Sequence, residues 1–108
     1  MDDENTFYVV LDTHANIIAF EGLASSISGY TASEVIGRNW FELFIPESNL
    51  EEMLNVFNGF LDGDLSFWEY ENEITCKDGT HQLIRWKNAL RRSADGSAVS
   101  MHCEGTKL

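Results

Sequence analysis

Tyr70, Asn72 and Ile74, and after them Ile84, Trp86 and Asn88, recur at every second residue, the spacing that puts side chains on one face of a strand. Two amides and a phenol would then face an interior rich in apolar and aromatic groups. An amide neither titrates nor attacks carbon, so the chemistry on offer is the orientation of a bound molecule by hydrogen bonds. Trp40, Phe44 and Phe57 supply candidate walls for such a pocket, joined by Met101 from the last alternating segment. A structural reading competes and carries more weight: buried amides are generally hydrogen-bonded within the protein, here to backbone or at the sheet margin. In the same way Trp40, Phe41, Phe44, Phe57 and Phe60 either line a cavity for an aromatic metabolite or fill the core of a small domain outright.

Other chemistries find less support. His102 beside Cys103, with His81 and Cys76 on neighbouring segments, resembles a metal set only on paper, because adjacent strand residues point to opposite faces. Asp62 and Asp64 flank Gly63 where carboxylates usually solvate a turn, and no Gly-x-Ser-x-Gly elbow accompanies the serines. Two cysteines in alternating segments read as small buried hydrophobes rather than as a disulfide framework.

The elements that must position these residues follow from periodicity. Phe7–Leu11 and Ile17–Phe20 are short apolar runs around the polar link 13–16, which reads as a hairpin. Residues 21–28 are weakly helical and stop at Gly29; Thr31 and Glu34 have the form of a capping box for a single turn ending at Gly37. Residues 39–44 form another short turn, limited by Pro46. Ser48 and Glu51 read as a second capping box, opening a helix over 49–61. Its buried stripe would be Leu50, Met53, Leu54, Phe57 and Leu61, with Glu51, Glu52, Asn55 and Asn58 outward. From Ser66 the period becomes two. Trp68 to Cys76, Ile84 to Leu90 and Val99 to Gly105 then form three strands, separated by turns at Asp78-Gly79 and Asp95-Gly96. Glu69, Glu71 and Glu73 facing Arg85, Lys87 and Arg91 predict a salt-bridged outer face. The order is ββ, short helices, one long helix, βββ.

A chain of 108 residues with 44% hydrophobic content is one globular domain with a modest core. Eighteen acidic against seven basic residues give a formal charge of −11, which opposes contact with nucleic-acid phosphates and anionic membrane surfaces. No apolar run is long enough to span a bilayer and the start, Met1 to Asn5, is polar, so a soluble cytoplasmic domain without direct membrane contact is expected.

The order of elements, Gly29-Tyr30 followed by Ser33-Glu34-Val35-Ile36-Gly37, the Lys77-Asp78-Gly79 turn and the closing Glu104-Gly105-Thr106 together resemble a PAS domain over residues 7–107. The resemblance implies an α+β fold, a five-stranded antiparallel sheet with helices packed on one face. It also implies a sensory or dimerisation module, non-catalytic in isolation, in a larger signalling protein of the histidine kinase or diguanylate cyclase type. Such a domain would form a homodimer and relay ligand or partner binding to a C-terminal effector. The alternative is a PAS domain that binds no small molecule and serves only as a protein–protein interface.

Departures from the family pattern narrow the cofactor. Gly37-Arg38-Asn39-Trp40 places an indole where flavin light sensors of the LOV type hold the photoreactive thiol. Ile74 and Ile84 stand where those sensors grip the FMN ring with amides. None of His14, His81 and His102 lies on the 49–61 helix, where oxygen-sensing relatives hold haem. No cofactor is expected, while FAD or a small metabolite stays open. Glu21 replaces the family's usual asparagine after the second strand. Gly105-Thr106-Lys107 lacks the aspartate of its usual output contact.

Overall fold

The computed structural model describes residues 6–63 and 68–108; Asp64, Ser66 and the acidic start 1–5 lie outside them. Five strands, β1 (Phe7–Asp12), β2 (Ile17–Gly22), β3 (Glu69–Thr75), β4 (His81–Arg92) and β5 (Ala98–Lys107), form one sheet in the order β2-β1-β5-β4-β3. Every neighbouring pair is antiparallel. Four helices, α1 (Ala24–Ser28), α2 (Ala32–Val35), α3 (Trp40–Phe44) and α4 (Leu50–Leu61), link the β1–β2 hairpin to the remaining strands. Their apolar residues Ala24, Val35, Phe44, Met53, Phe57 and Phe60 share one core with Phe7, Val9, Leu11, Ile74, Ile84 and Trp86 of the sheet. The helices thus cover one face, as the element order predicts. Among the described residues no helix is long and apolar enough to cross a membrane.

Local signals explain most boundaries. Gly29 adopts φ 84°, the left-handed conformation that ends α1, and its N–H bonds the Ser25 carbonyl. Glu34 Oε1 accepts the Thr31 N–H at 2.8 Å, the returning arm of the expected capping box. Asn39 Oδ1 accepts from the N–H groups of Phe41 and Glu42 and opens α3. Its amide also donates to the His14 carbonyl at 3.1 Å, while Trp40 N–H bonds the Ala15 carbonyl at 2.8 Å. The β1–β2 turn therefore fixes where Trp40 enters the core. Asn39→Ala should lower stability by about 1–2 kcal/mol, the upper range for a lost cap. Urea denaturation reads this directly, and an unchanged midpoint would show the cap to be redundant.

Four expectations need correction. Glu21 and Gly22 belong to β2, not to a helix, because they pair with Tyr8 and Phe7. The second capping box does not form. Residues Glu47–Asn49 make a 3₁₀ turn, Ser48 Oγ donates to Asn49 Oδ1, and α4 starts without a side-chain cap. On α4 the buried residues are Met53, Phe57 and Phe60, while Leu54 is exposed, which turns the stripe towards the 53/57/60 row. Val99 does not continue the inward row of Met101, Cys103 and Gly105. The register passes from Arg91↔Ser100 to Arg92↔Ala98, so Val99 is the extra residue of a bulge and stands 47% exposed. A second bulge skips Ile18 between Val10↔Ala19 and Leu11↔Ile17, which turns both Ile17 and Phe20 inward.

The outer face carries the expected charge pairing in part. Arg85 Nε lies 2.9 Å from Glu71 Oε2 across β3–β4, and Lys87 sits opposite both Glu69 and Glu104. Glu73 opposes Leu83 and instead approaches His81 at 3.5 Å, and Arg91 faces Ser100. These pairs are exposed, so each contributes at most about 1 kcal/mol.

Candidate ligand cavity

Between α4 and the inner sheet face lies a cavity of about 60 Å³. Its walls come from every layer: Trp40 and Phe41 of α3, Met53, Val56, Phe57 and Phe60 of α4, and Val9, Leu11, Tyr70, Asn72, Trp86, Asn88, Met101 and Cys103 of the sheet. Of the residues singled out from sequence, Trp40, Phe41, Phe57, Phe60, Tyr70, Asn72, Trp86, Asn88 and Met101 meet here. Phe44, Ile74 and Ile84 are fully buried and do not line it. Phe44 packs instead among Phe7, Phe20, Tyr30 and Trp40. Ile84 is held against Gly105, near enough that no methyl group fits between them.

Val9, Leu11, Met53, Val56 and Cys103 were not singled out as walls. The 53/57/60 row, had its rotation been known, would have found Met53 and Val56. For Val9 and Leu11 the apolar run Phe7-Tyr8-Val9-Val10-Leu11 contains no polar residue to say which side faces in.

The polar groups are tied to particular neighbours. Trp86 Nε1 donates to Asn72 Oδ1 at 2.7 Å, one of the few buried side-chain pairs in the domain. The bond is diagonal, since Asn72 sits opposite Ile84 and Tyr70 opposite Trp86. It is neither of the backbone or margin contacts expected for that amide. Tyr70 O–H donates to the Glu52 carboxylate, joining β3 to α4, and that bond raises the phenol's pKa further above its ordinary value. Asn88 N–H bonds the Trp68 carbonyl at 2.6 Å. Cys103 is buried, which pushes its thiol up to about 12 and keeps it neutral. Beyond the cavity a surface groove lined by Ser48, Glu51, Glu52 and Asn55 shares Val56 and Tyr70 with it.

The lining groups are apolar surfaces, amides, a phenol and a neutral thiol, which suit holding and orienting a molecule. Among the described residues no three His, Cys, Asp or Glu side chains are placed to hold a metal ion.

The chain's relatives agree with this geometry. A family profile described as the PAS fold matches residues 9–103. No curated protein matches by sequence. Among solved structures, the PAS domain of the Cronobacter turicensis RpfR quorum-sensing receptor, in complex with BDSF, is 28% identical with a TM-score of 0.76, over 96% of this chain and 94% of that one. The same domain in complex with C12:0 gives 28% and 0.77 over the same shares. A PAS domain from Colwellia psychrerythraea is 18% identical with a TM-score of 0.81, covering 95% of this chain and 86% of that one, a likeness of fold alone. PAS domains are in general sensory and non-catalytic. A profile match over nearly the whole length, on a sheet of this order closed by these helices, makes the chain a member of the PAS family.

Proposed function

We propose that this PAS domain senses a small, largely apolar molecule held in the cavity between α4 and the sheet. The observation that carries the reading is the cavity itself, apolar on all sides yet edged by Asn72, Asn88 and Tyr70. The Cronobacter domain, 28% identical over almost its full length, is seen with BDSF and with C12:0. In this reading the domain works as a homodimer inside a larger cytoplasmic protein of the histidine kinase or diguanylate cyclase type. Ligand binding shifts α4 against the sheet, and β5 passes that bias to the effector. Support for the dimer comes from Ile18, Leu83 and Val99, apolar side chains left exposed on the strands.

The second reading, an interface that binds no small molecule, is favoured by one observation. A cavity of about 60 Å³ is several-fold smaller than the ~300–1,000 Å³ of an ordinary small-molecule pocket. A ligand must therefore displace side chains, and Met53, flexible and unbranched, is suited to yield. Native mass spectrometry and an absorbance spectrum of the purified domain separate the readings. Added small-molecule mass, or quenching of tryptophan emission on titration with apolar compounds, supports sensing. A clean dimer that no such compound perturbs would leave the interface reading standing.

A further inference from the structure

Resting on that reading, we infer that the cavity selects an uncharged ligand bearing a hydrogen-bond acceptor, a ketone- or ester-like carbonyl on an apolar body, and rejects carboxylates. The first support is the Asn72 amide. An indole N–H only donates, so the bond from Trp86 fixes the oxygen of Asn72 towards the ring. The amide nitrogen is left with no protein partner among the described residues, on a side chain 7% exposed that lines the cavity. An N–H₂ on a side chain that borders a largely apolar cavity calls for an acceptor there.

Charge supplies the second support. No lysine or arginine lines the cavity, and residues 64–67, Asp-Leu-Ser-Phe by sequence, bring none. The cations of β4, Arg85, Lys87 and Arg91, alternate onto the opposite face from Trp86 and Asn88. Outside Val56 and Tyr70, the adjoining groove presents Glu51 and Glu52. A carboxylate entering here leaves water without gaining a counter-ion and passes two like charges on the way. A neutral carbonyl carries neither burden and satisfies Asn72.

Titration with heptan-2-one and with heptanoate at pH 7.5, followed by the emission of Trp40 and Trp86, tests this without any substitution. The ketone is expected to bind at least tenfold more tightly, with the Asn72 side-chain amide resonance shifting on binding. Asn72→Asp, which keeps an acceptor for Trp86 but removes the free donor, should weaken the ketone at least fivefold. Glu52→Lys, at an exposed position, should narrow the gap by strengthening heptanoate. Heptanoate binding as tightly as the ketone, or an Asn72 resonance that stays still while the ketone binds, would overturn the selectivity and leave the sensing reading intact. If neither compound binds at millimolar concentration, both fall together.

Discussion

Replacing Phe7 by alanine is expected to remove about 3–5 kcal/mol of stability, a large share of the ~5–15 kcal/mol that holds a domain of this size folded. Phe7 is fully buried at the first position of β1, and its ring makes edge-on contacts with Phe20 at 5.5 Å, Trp86 at 5.3 Å, Trp40 at 6.2 Å and Phe44 at 6.4 Å. Its contacts tie the hairpin, α3 and β4 together. Loss of the ring opens a space that its four interlocked neighbours cannot all close, so the cavity cost adds to the lost burial. Urea denaturation, monitored by far-ultraviolet circular dichroism, measures the effect. A loss below about 1.5 kcal/mol would mean that these aromatics repack, and the description of a single interlocked cluster would fail.

Gly105→Ala is the second large effect, and it adds atoms where Phe7→Ala removes them. A Cβ at position 105 would sit 2.7 Å from Ile84 Cγ2 and 2.7 Å from Trp86 Cζ3. Neither neighbour can swing away. Ile84 is fully buried, and the Trp86 ring is pinned by its bond to Asn72 and by the Phe7 and Trp40 rings around it. Overpacking of this kind costs about 1–3 kcal/mol, which lowers the melting temperature by roughly 10–20 °C at the upper end. Because the displaced ring also orients the Asn72 amide, the variant should lose ligand response as well as stability. Thermal denaturation together with the tryptophan emission maximum checks both. A folded variant with wild-type melting would show that β4 and β5 separate easily here.

Most of the architecture is legible in the sequence because its signals are local. The turns at Gly79 and Gly96, the stop at Gly29, the capping box at Thr31 and the alternation of β3 and β4 each need only a few neighbouring residues to be read. The two bulges are not legible. Ile18 and Val99 are β-branched residues that fit a strand equally well in register or out of it. Nothing in their identity says that the partner strand skips them. The rotation of α4 at Leu54 is not legible for a related reason, since four apolar residues in the first two turns allow two stripes. As for the cavity, alternation alone brought Tyr70, Asn72, Trp86 and Asn88 to one face. The bond between Asn72 and Trp86 depends on the diagonal offset of β3 against β4, a quantity only the pairing of whole strands sets.

The strand order has a consequence for synthesis. β5, the last strand made, lies between β1 and β4, and it alone joins the β1–β2 and β3–β4 hairpins into one sheet. A nascent chain that has not yet released Ala98–Lys107 from the ribosome holds two separate hairpins, each marginal in water by itself. Closure of this sheet therefore waits on emergence of its final strand, and the half-made domain is the form most exposed to proteases and chaperones.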